Sequence, residues 1–419
     1  MLRAALALRP GWRDVPVLVA AFVIGAPLLA AILAGLFAGG GMAWQHILSN
    51  QLWSYTWGTL ATLTVTTVFI LGTAVPAAWL VTLYRFPGRG VLEWLMILPL
   101  AAPGYVLAFA YADLLDVAGP VQAALRDLTG LAARDYWFPN VNSIGGLGFV
   151  LAAALYPYVY LTARQAFVTT SLCTLDAART LGASEGRAFW RVALPAARPA
   201  IAAGLALALM ESAADYGAAD FLGVQTLTVG IFRAWASFGD AGTAARLALV
   251  LLALALLLQW LERAQRGRAG SQATSRRWQA IDRKRLPPVQ AWAATGFCTT
   301  LVAWGFAVPM LRLVWIAFEA GPPVASLSGA LVNTLVLAGA GAALGFVLGL
   351  IVALASRSRR PAGALARLAA SGGYAVPGAV LALGGLIVLS VLPLTLTGFA
   401  ALATLVWIYA SRFTAAGAK

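Results

Sequence analysis

Charge is scarce in this chain. Of its 419 residues only 11% are Asp, Glu, Lys or Arg, and 61% are hydrophobic, whereas a soluble domain carries roughly a quarter charged residues. The mean hydropathy is +0.83, which excludes a soluble globular protein. Unbroken apolar runs such as Leu247 to Leu258 also exclude a transmembrane β-barrel, whose strands alternate in polarity over about 10 residues. Histidine occurs once, as His46, and cysteine twice, as Cys173 and Cys298. So few soft ligands argue against a resident metal centre and against a disulfide framework, and His46 reads as an interfacial loop residue. The only lysines, Lys284 and Lys419, follow Arg283 and Ala418. The Gly-Lys of a nucleotide-phosphate loop is therefore missing, and the chain is not expected to hydrolyse ATP itself.

What is present is a series of apolar runs, each long enough to cross a bilayer at about 20 residues per span. The first is Val15 to Phe37, behind Arg3, Arg9 and Arg13. It is longer than the apolar core of a cleaved signal peptide, about 7–15 residues, and predicts an uncleaved helix with a cytoplasmic N-terminus. Further runs at 53–83, 91–115, 144–168, 199–216, 244–261, 289–317, 330–355, 371–392 and 396–411 bring the expected total to about ten spans. Threaded alternately, they collect the basic residues in every second loop, as the positive-inside rule requires. Arg85 and Arg89, then Arg179 to Arg198, then Arg263 to Arg285, then Arg357 to Arg367 fall inside. The net charge of +14 is thus topogenic, and nucleic acid is not an expected partner. The stretch 218–243 mixes apolar residues with Asp220, Arg233 and Asp240 and reads as an outside segment dipping partly back into the membrane.

The spans repeat. Pro103-Gly104-Tyr105-Val106-Leu107-Ala108 recurs as Pro377-Gly378-Ala379-Val380-Leu381-Ala382 at an offset of 274, Thr59-Leu60 recurs as Thr334-Leu335 at 275, and Gly72 to Pro76 loosely matches Gly345 to Gly349 at 273. Six spans precede the second copy, and an even number keeps both copies in the same orientation, so the repeats are parallel and not inverted. The expected division is a first domain at 1–262, a basic cytoplasmic linker at 263–288 and a second domain at 289–419.

The loop after the fourth span is longer than a turn needs. Thr174 is placed to cap a helix carrying Asp176 in its first turn, Gly182 is a natural helix stop, and a second amphipathic helix should end near Pro195. Small Ala177 and Ala178 leave a low face that another protein can approach. Asp176-Ala177-Ala178, three residues, Gly182, nine residues, Val192-x-Leu194-Pro195 resembles the coupling motif E-A-A-x3-G-x9-I-x-L-P of permease subunits in bacterial binding-protein-dependent ABC importers. Asp replaces Glu and Val replaces Ile, with the spacing kept.

A narrower resemblance is to the fused two-domain permeases of ferric-iron importers. It rests on Phe86-Pro87-Gly88-Arg89, Leu98-Pro99-Leu100-Ala101, Asp135-Tyr136-Trp137-Phe138-Pro139, Tyr156-Pro157-Tyr158-Val159-Tyr160, and Ala206 to Glu211 with Asp215-Tyr216-Gly217. It implies an all-α polytopic membrane protein of the type I ABC importer fold in the bacterial inner membrane. It also implies a cytoplasmic ABC ATPase dimer that carries ATP and Mg, a periplasmic or extracellular substrate-binding protein, and ferric iron as substrate. The same class also serves thiamine, polyamines and phosphonates. A separate possibility from the residues is an ion-coupled secondary transporter.

Glu211 and Asp215 lie four apart, on one helix face, about 18 and 24 Å beyond Pro199 at 1.5 Å per residue. Intramembrane carboxylates mark a pathway or gate by default and offer the oxygen ligands that hard cations prefer. The alternative role is hydrogen bonding between helices. Tyr105 and Tyr111, near the Pro103 break, are weaker path candidates. Finally, Tyr160 to Arg164 corresponds to Ile408 to Arg412 at an offset of 248. A second coupling motif is then expected near 176 + 248 = 424, past Lys419, so that the second domain has four spans and stops before its own coupling loop.

Overall fold

The computed structural model describes residues 14–39, 41–169, 180, 182, 184–268, 283–321, 327–356, 361–391 and 398–417. Among them the fold is all-α apart from one two-residue parallel pair. The helices are α1 (Val15–Phe37), α2 (Met42–Asn50), α3 (Leu52–Leu83), α4 (Arg89–Leu95), α5 (Gly104–Leu115), α6 (Pro120–Thr129), α7 (Ile144–Thr169), α8 (Leu194–Ala214) and α9 (Gly217–Phe221). They continue as α10 (Leu227–Ala236), α11 (Ala241–Arg268), α12 (Pro288–Val302), α13 (Val308–Ala320), α14 (Leu327–Ser356), α15 (Pro361–Ala375), α16 (Gly378–Val391) and α17 (Gly398–Gly417). Strand β1 (Tyr84–Arg85) pairs with β2 (Lys284–Arg285), Tyr84 opposite Lys284 and Arg85 opposite Arg285.

Eight helical stretches of the described residues are long and apolar enough to cross a membrane, and Leu227–Ala236 and Gly378–Ser390 are shorter apolar helices. Two runs read as unbroken in the sequence are divided. The run at 91–115 becomes α4, a 3₁₀ turn at Leu98–Ala101, and α5, because Pro99 and Pro103 cannot donate the amide hydrogens a continuous helix needs. The run at 371–392 breaks at Pro377 between α15 and α16 for the same reason. The mixed stretch 218–243 holds the short helices α9 and α10. His46 sits exposed on α2 and not in a loop.

In a bilayer the faces of a helix differ in size more than in polarity, because lipid is as apolar as leucine and tight packing must supply the attraction. On α1, Ala20, Ile24, Pro27, Ala31 and Gly35 are buried, a helical stripe of mostly small residues. Val15, Val19, Phe22, Leu29, Leu33 and Leu36 are exposed on its other side. Close crossings follow. A Cβ on Gly384 of α16 would lie 1.7 Å from the Pro27 carbonyl oxygen of α1, and one on Gly204 of α8 would lie 2.7 Å from the Tyr158 carbonyl oxygen of α7.

The chain forms two compact units. One comprises Met1–Tyr55, Leu227–Leu256 and Pro322–Lys419, the other Thr56–Thr226 and Leu257–Gly321. They interleave along the sequence. In the first unit α1 packs on α15 and α16, α14 on α17, and the Trp407 indole N–H reaches the Val23 carbonyl of α1 at 2.8 Å. In the second unit α8 lies along α7, and α12 packs on α4. There the Trp304 ring stacks on Tyr156 at 6.0 Å and 9°, and the Tyr111 hydroxyl donates to the Trp304 carbonyl.

The offsets between equivalent elements agree with the sequence repeat: α12 begins 288 − 15 = 273 residues after α1, α14 begins 327 − 52 = 275 after α3, and α16 begins 378 − 104 = 274 after α5. Both α5 and α16 open on a proline whose carbonyl accepts the N–H three residues on, at 3.0 Å in each copy.

Candidate functional site

Of the residues that resemble a coupling motif, Asp176, Ala177 and Ala178 lie outside the described residues, as does Thr174. Gly182 is described. Its φ is +83° with nothing near its Cβ position, the left-handed conformation that a helix-ending glycine adopts at no steric cost. Beyond it, Glu185–Ala188 runs through a π turn at Phe189–Ala193 directly into α8. The sequence reading ended a helix near Pro195, but the chain continues helically through it. The π turn explains why. The Leu194 N–H reaches back five residues to the Phe189 carbonyl, and the widened turn accommodates Pro195, which has no N–H to give. The same device recurs at Ala303–Ala307, where Val308 reaches the Ala303 carbonyl just ahead of Pro309.

Val192 therefore lies in the π turn, and Leu194 and Pro195 open α8. This end of α8 is anchored by aromatic contacts. The Trp79 ring of α3 meets Phe189 at 4.8 Å and Phe167 of α7 at 5.3 Å, both edge-on, and Leu194 packs against the same core. At about 1.5 Å per residue, α8 is a rod about 30 Å long, with the end of the coupling motif at one tip and Glu211 near the other.

At that far tip the helix stops at Ala214, and Asp215 is extended. The Asp215 Oδ1 accepts the Ala218 N–H at 2.7 Å, which holds the start of α9. Its Oδ2 faces α5, so closely that a Cβ on Gly104 would lie 2.8 Å away. Tyr105 follows on α5, where the absent Cβ of Gly217 lets the two helices meet: it would lie 2.9 Å from the Tyr105 Cβ. Asp215 and Tyr105 are thus brought together by the packing of α5 on α9, with Glu211 one turn back on α8. Tyr111 is taken up in packing through its bond to Trp304.

Four residues that sequence reasoning missed complete the site. Thr59 and Thr62 of α3, Ser212 of α8 and Thr226 line a small cavity with Asp215 and the apolar Leu63, Leu147 and Leu151. All four are buried, and the Thr62 Oγ1 and Ser212 Oγ have no hydrogen-bond partner among the described residues. The signal for the two on α3 was the polar spacing of Thr59, Thr62 and Thr66 at three and four residues within an apolar run. A cavity lined by a carboxylate and unpaired hydroxyls can hold a water or pass a polar species. Among the described residues no group of three or more His, Cys, Asp or Glu is placed to hold a metal ion.

Residues 74–270 match the family described as binding-protein-dependent transport system inner membrane component. A probable molybdenum ABC transporter permease protein of Haloferax volcanii is 31% identical over 198 residues, 46% of this chain and 69% of that protein. The probable ABC transporter permease protein y4fN of Sinorhizobium fredii is 32% identical over 270 residues, 60% of this chain, which spans 45% of that relative. The Fe(3+)-transport system permease protein FbpB 2 of Haemophilus influenzae is 23% identical over 344 residues, 80% of this chain and 63% of that protein.

Proposed function

This chain belongs to the binding-protein-dependent transport system inner membrane component family, and we propose that it is the membrane-spanning permease of an ATP-driven importer for ferric iron. Its partners on this reading are a cytoplasmic ATPase dimer, which binds the ATP and Mg, and a substrate-binding protein on the other side of the membrane. The observation that carries the reading is the continuous helix from the coupling motif to the acidic tip. Closure of the ATPase pushes on the segment around Asp176 to Gly182. The π turn and α8 move as one piece, because the Leu194 N–H to Phe189 carbonyl bond keeps the helix continuous, and the Phe189 contacts pass the movement to Trp79 and Phe167. The far tip then shifts Glu211 and Asp215 against Gly104 and Tyr105, which opens or closes the passage between two packed arrangements.

Ferric iron is favoured over an oxyanion by charge. Two neighbouring carboxylates offer oxygen ligands to a hard cation and disfavour a molybdate-like anion. A molybdenum-named relative keeps the oxyanion reading as the second choice, with the cavity hydroxyls as its donors. An ion-coupled secondary transporter explains the two acids but leaves the coupling motif without a role.

In the assembled transporter, Gly182→Leu should leave the protein inserted but cut substrate uptake by at least about tenfold, since a side chain at positive φ reorients the coupling segment. Normal uptake would refute the coupling role. Glu211→Gln and Asp215→Asn should lower ⁵⁵Fe uptake while the ATPase still co-purifies. The asparagine Oδ1 can still accept the Ala218 N–H, so loss of folded protein would assign Asp215 a purely structural role. Uptake of ⁹⁹Mo-molybdate in place of iron would select the oxyanion reading.

A further inference from the structure

At the end of the second unit where α3 and α7 finish and α12 begins, six cations of the described residues lie close together, and two of them share one carboxylate. Arg89 opens α4 with its Nη2 2.9 Å from the Glu93 carboxylate, and Arg164 of α7 pairs with the same group. Glu93 is thus shared, and it is only 12% exposed. The Arg89 Nε is spent on the Val81 carbonyl at 2.6 Å, and the Tyr160 hydroxyl secures the Glu93 carbonyl at 3.1 Å. Pairing of β2 with β1 then carries Arg283, Lys284 and Arg285 to the side of Arg85.

Topogenic charge explains why basic residues lie at this membrane boundary. It does not explain why three of them turn inward. Arg89, Arg164 and Arg283 are partly buried, and the Arg164 Nε and Arg283 Nε are buried without a hydrogen-bond acceptor among the described residues. Burial, and then the nearby charges of Arg89 and Arg85, press the Arg283 guanidinium below its ordinary value. Arg164 also lies within reach of the charges of Arg89 and Arg283. Charge repulsion and unmet donors are both relieved by a multivalent oxygen anion, and a phosphate fits the guanidinium fork.

We propose that this cluster is a binding site for a phosphate group, supplied by the headgroup of an anionic lipid or by a soluble phosphate. The site stands at the level where α3 and α7 leave the apolar phase, and basic pockets between spans at that level take lipid headgroups. An acidic patch of a partner protein would meet the exposed Arg85, Lys284 and Arg285, but it would not reach the inward-turned Nε atoms.

The test uses the purified, delipidated full-length chain in neutral detergent, followed by native mass spectrometry. It is titrated with phosphatidylglycerol, with phosphatidylcholine, and with inorganic phosphate against chloride of equal ionic strength. Retention of phosphatidylglycerol about tenfold tighter than phosphatidylcholine is expected. Competition by inorganic phosphate alone, without lipid preference, would assign the soluble source. Arg283→Gln should weaken binding about tenfold, Arg283→Lys should lie between, and exposed Arg134→Gln should change nothing. The lysine variant also serves where the glutamine variant does not fold. Equal retention of both lipids with no phosphate effect, or equal behaviour of the Arg283 and Arg134 variants, would overturn the proposal. So would loss of ATPase co-purification in Arg283→Gln with phosphatidylglycerol binding unchanged.

Discussion

Asp240 shows how one acid outside the membrane sets the start of a long span. It stands just before α11, and its carboxylate accepts the Thr243 N–H at 2.9 Å and the Thr243 hydroxyl at 2.8 Å. Partial burial acts to raise its pKa, but these hydrogen bonds, the Gly242 N–H and the Arg246 charge together hold it below its ordinary value of 3.8. A depressed carboxylate stabilises the fold above its unfolded pKa, and the contribution is lost as pH falls through the lower folded value. Asp240→Ala should therefore cost about 1 kcal/mol near neutral pH, as for other lost N-caps. The gap to the wild type should narrow once the pH drops below about 4. Unfolding curves of the two proteins in detergent from neutral to acid pH would check this, and a gap independent of pH would mean that the carboxylate charge has no part.

At the scale of elements, the spans were readable because each is an apolar run bounded by charge or proline. The run Val15 to Phe37 became α1 with the same limits, and 53–83 became α3 with one more residue. The π turns were not readable. Pro195 sits where the sequence reading ends a helix and Pro309 inside a run read as one span, and at both the widened hydrogen bonding just ahead of the proline carries the helix on. The crossing of α1 and α16 was equally hidden, because Gly384 looks like any other glycine in an apolar run. Gly384→Ala should destabilise the protein by at least about 1–3 kcal/mol, the usual cost of overpacking, since its Cβ would meet Pro27 backbone. Gly72→Ala, with open space around it, should be neutral or slightly stabilising. Thermal unfolding of the two variants side by side would separate a specific contact from a general intolerance of substitution.

For the whole molecule, the repeat was legible from three near-equal offsets, but the arrangement of the compact units was not. Hydropathy records which segments prefer lipid and carries no information on which segment packs with which. The candidate site was legible in part: Asp215 and Glu211 stood out as acids in an apolar run, while Thr62 and Ser212 did not, since single hydroxyls are common in membrane helices. The interleaving has a consequence for biosynthesis. The unit that begins at Thr56 is not complete when the ribosome passes Thr226, because it also contains Leu257–Gly321. Until that later stretch emerges, the Tyr111 and Tyr156 hydroxyls lack the Trp304 and Leu301 carbonyls to which they donate in the finished fold. The early helices therefore enter the bilayer with a vacancy, and the order of translation obliges the first half to wait, open on one side, for a helix that the second half brings.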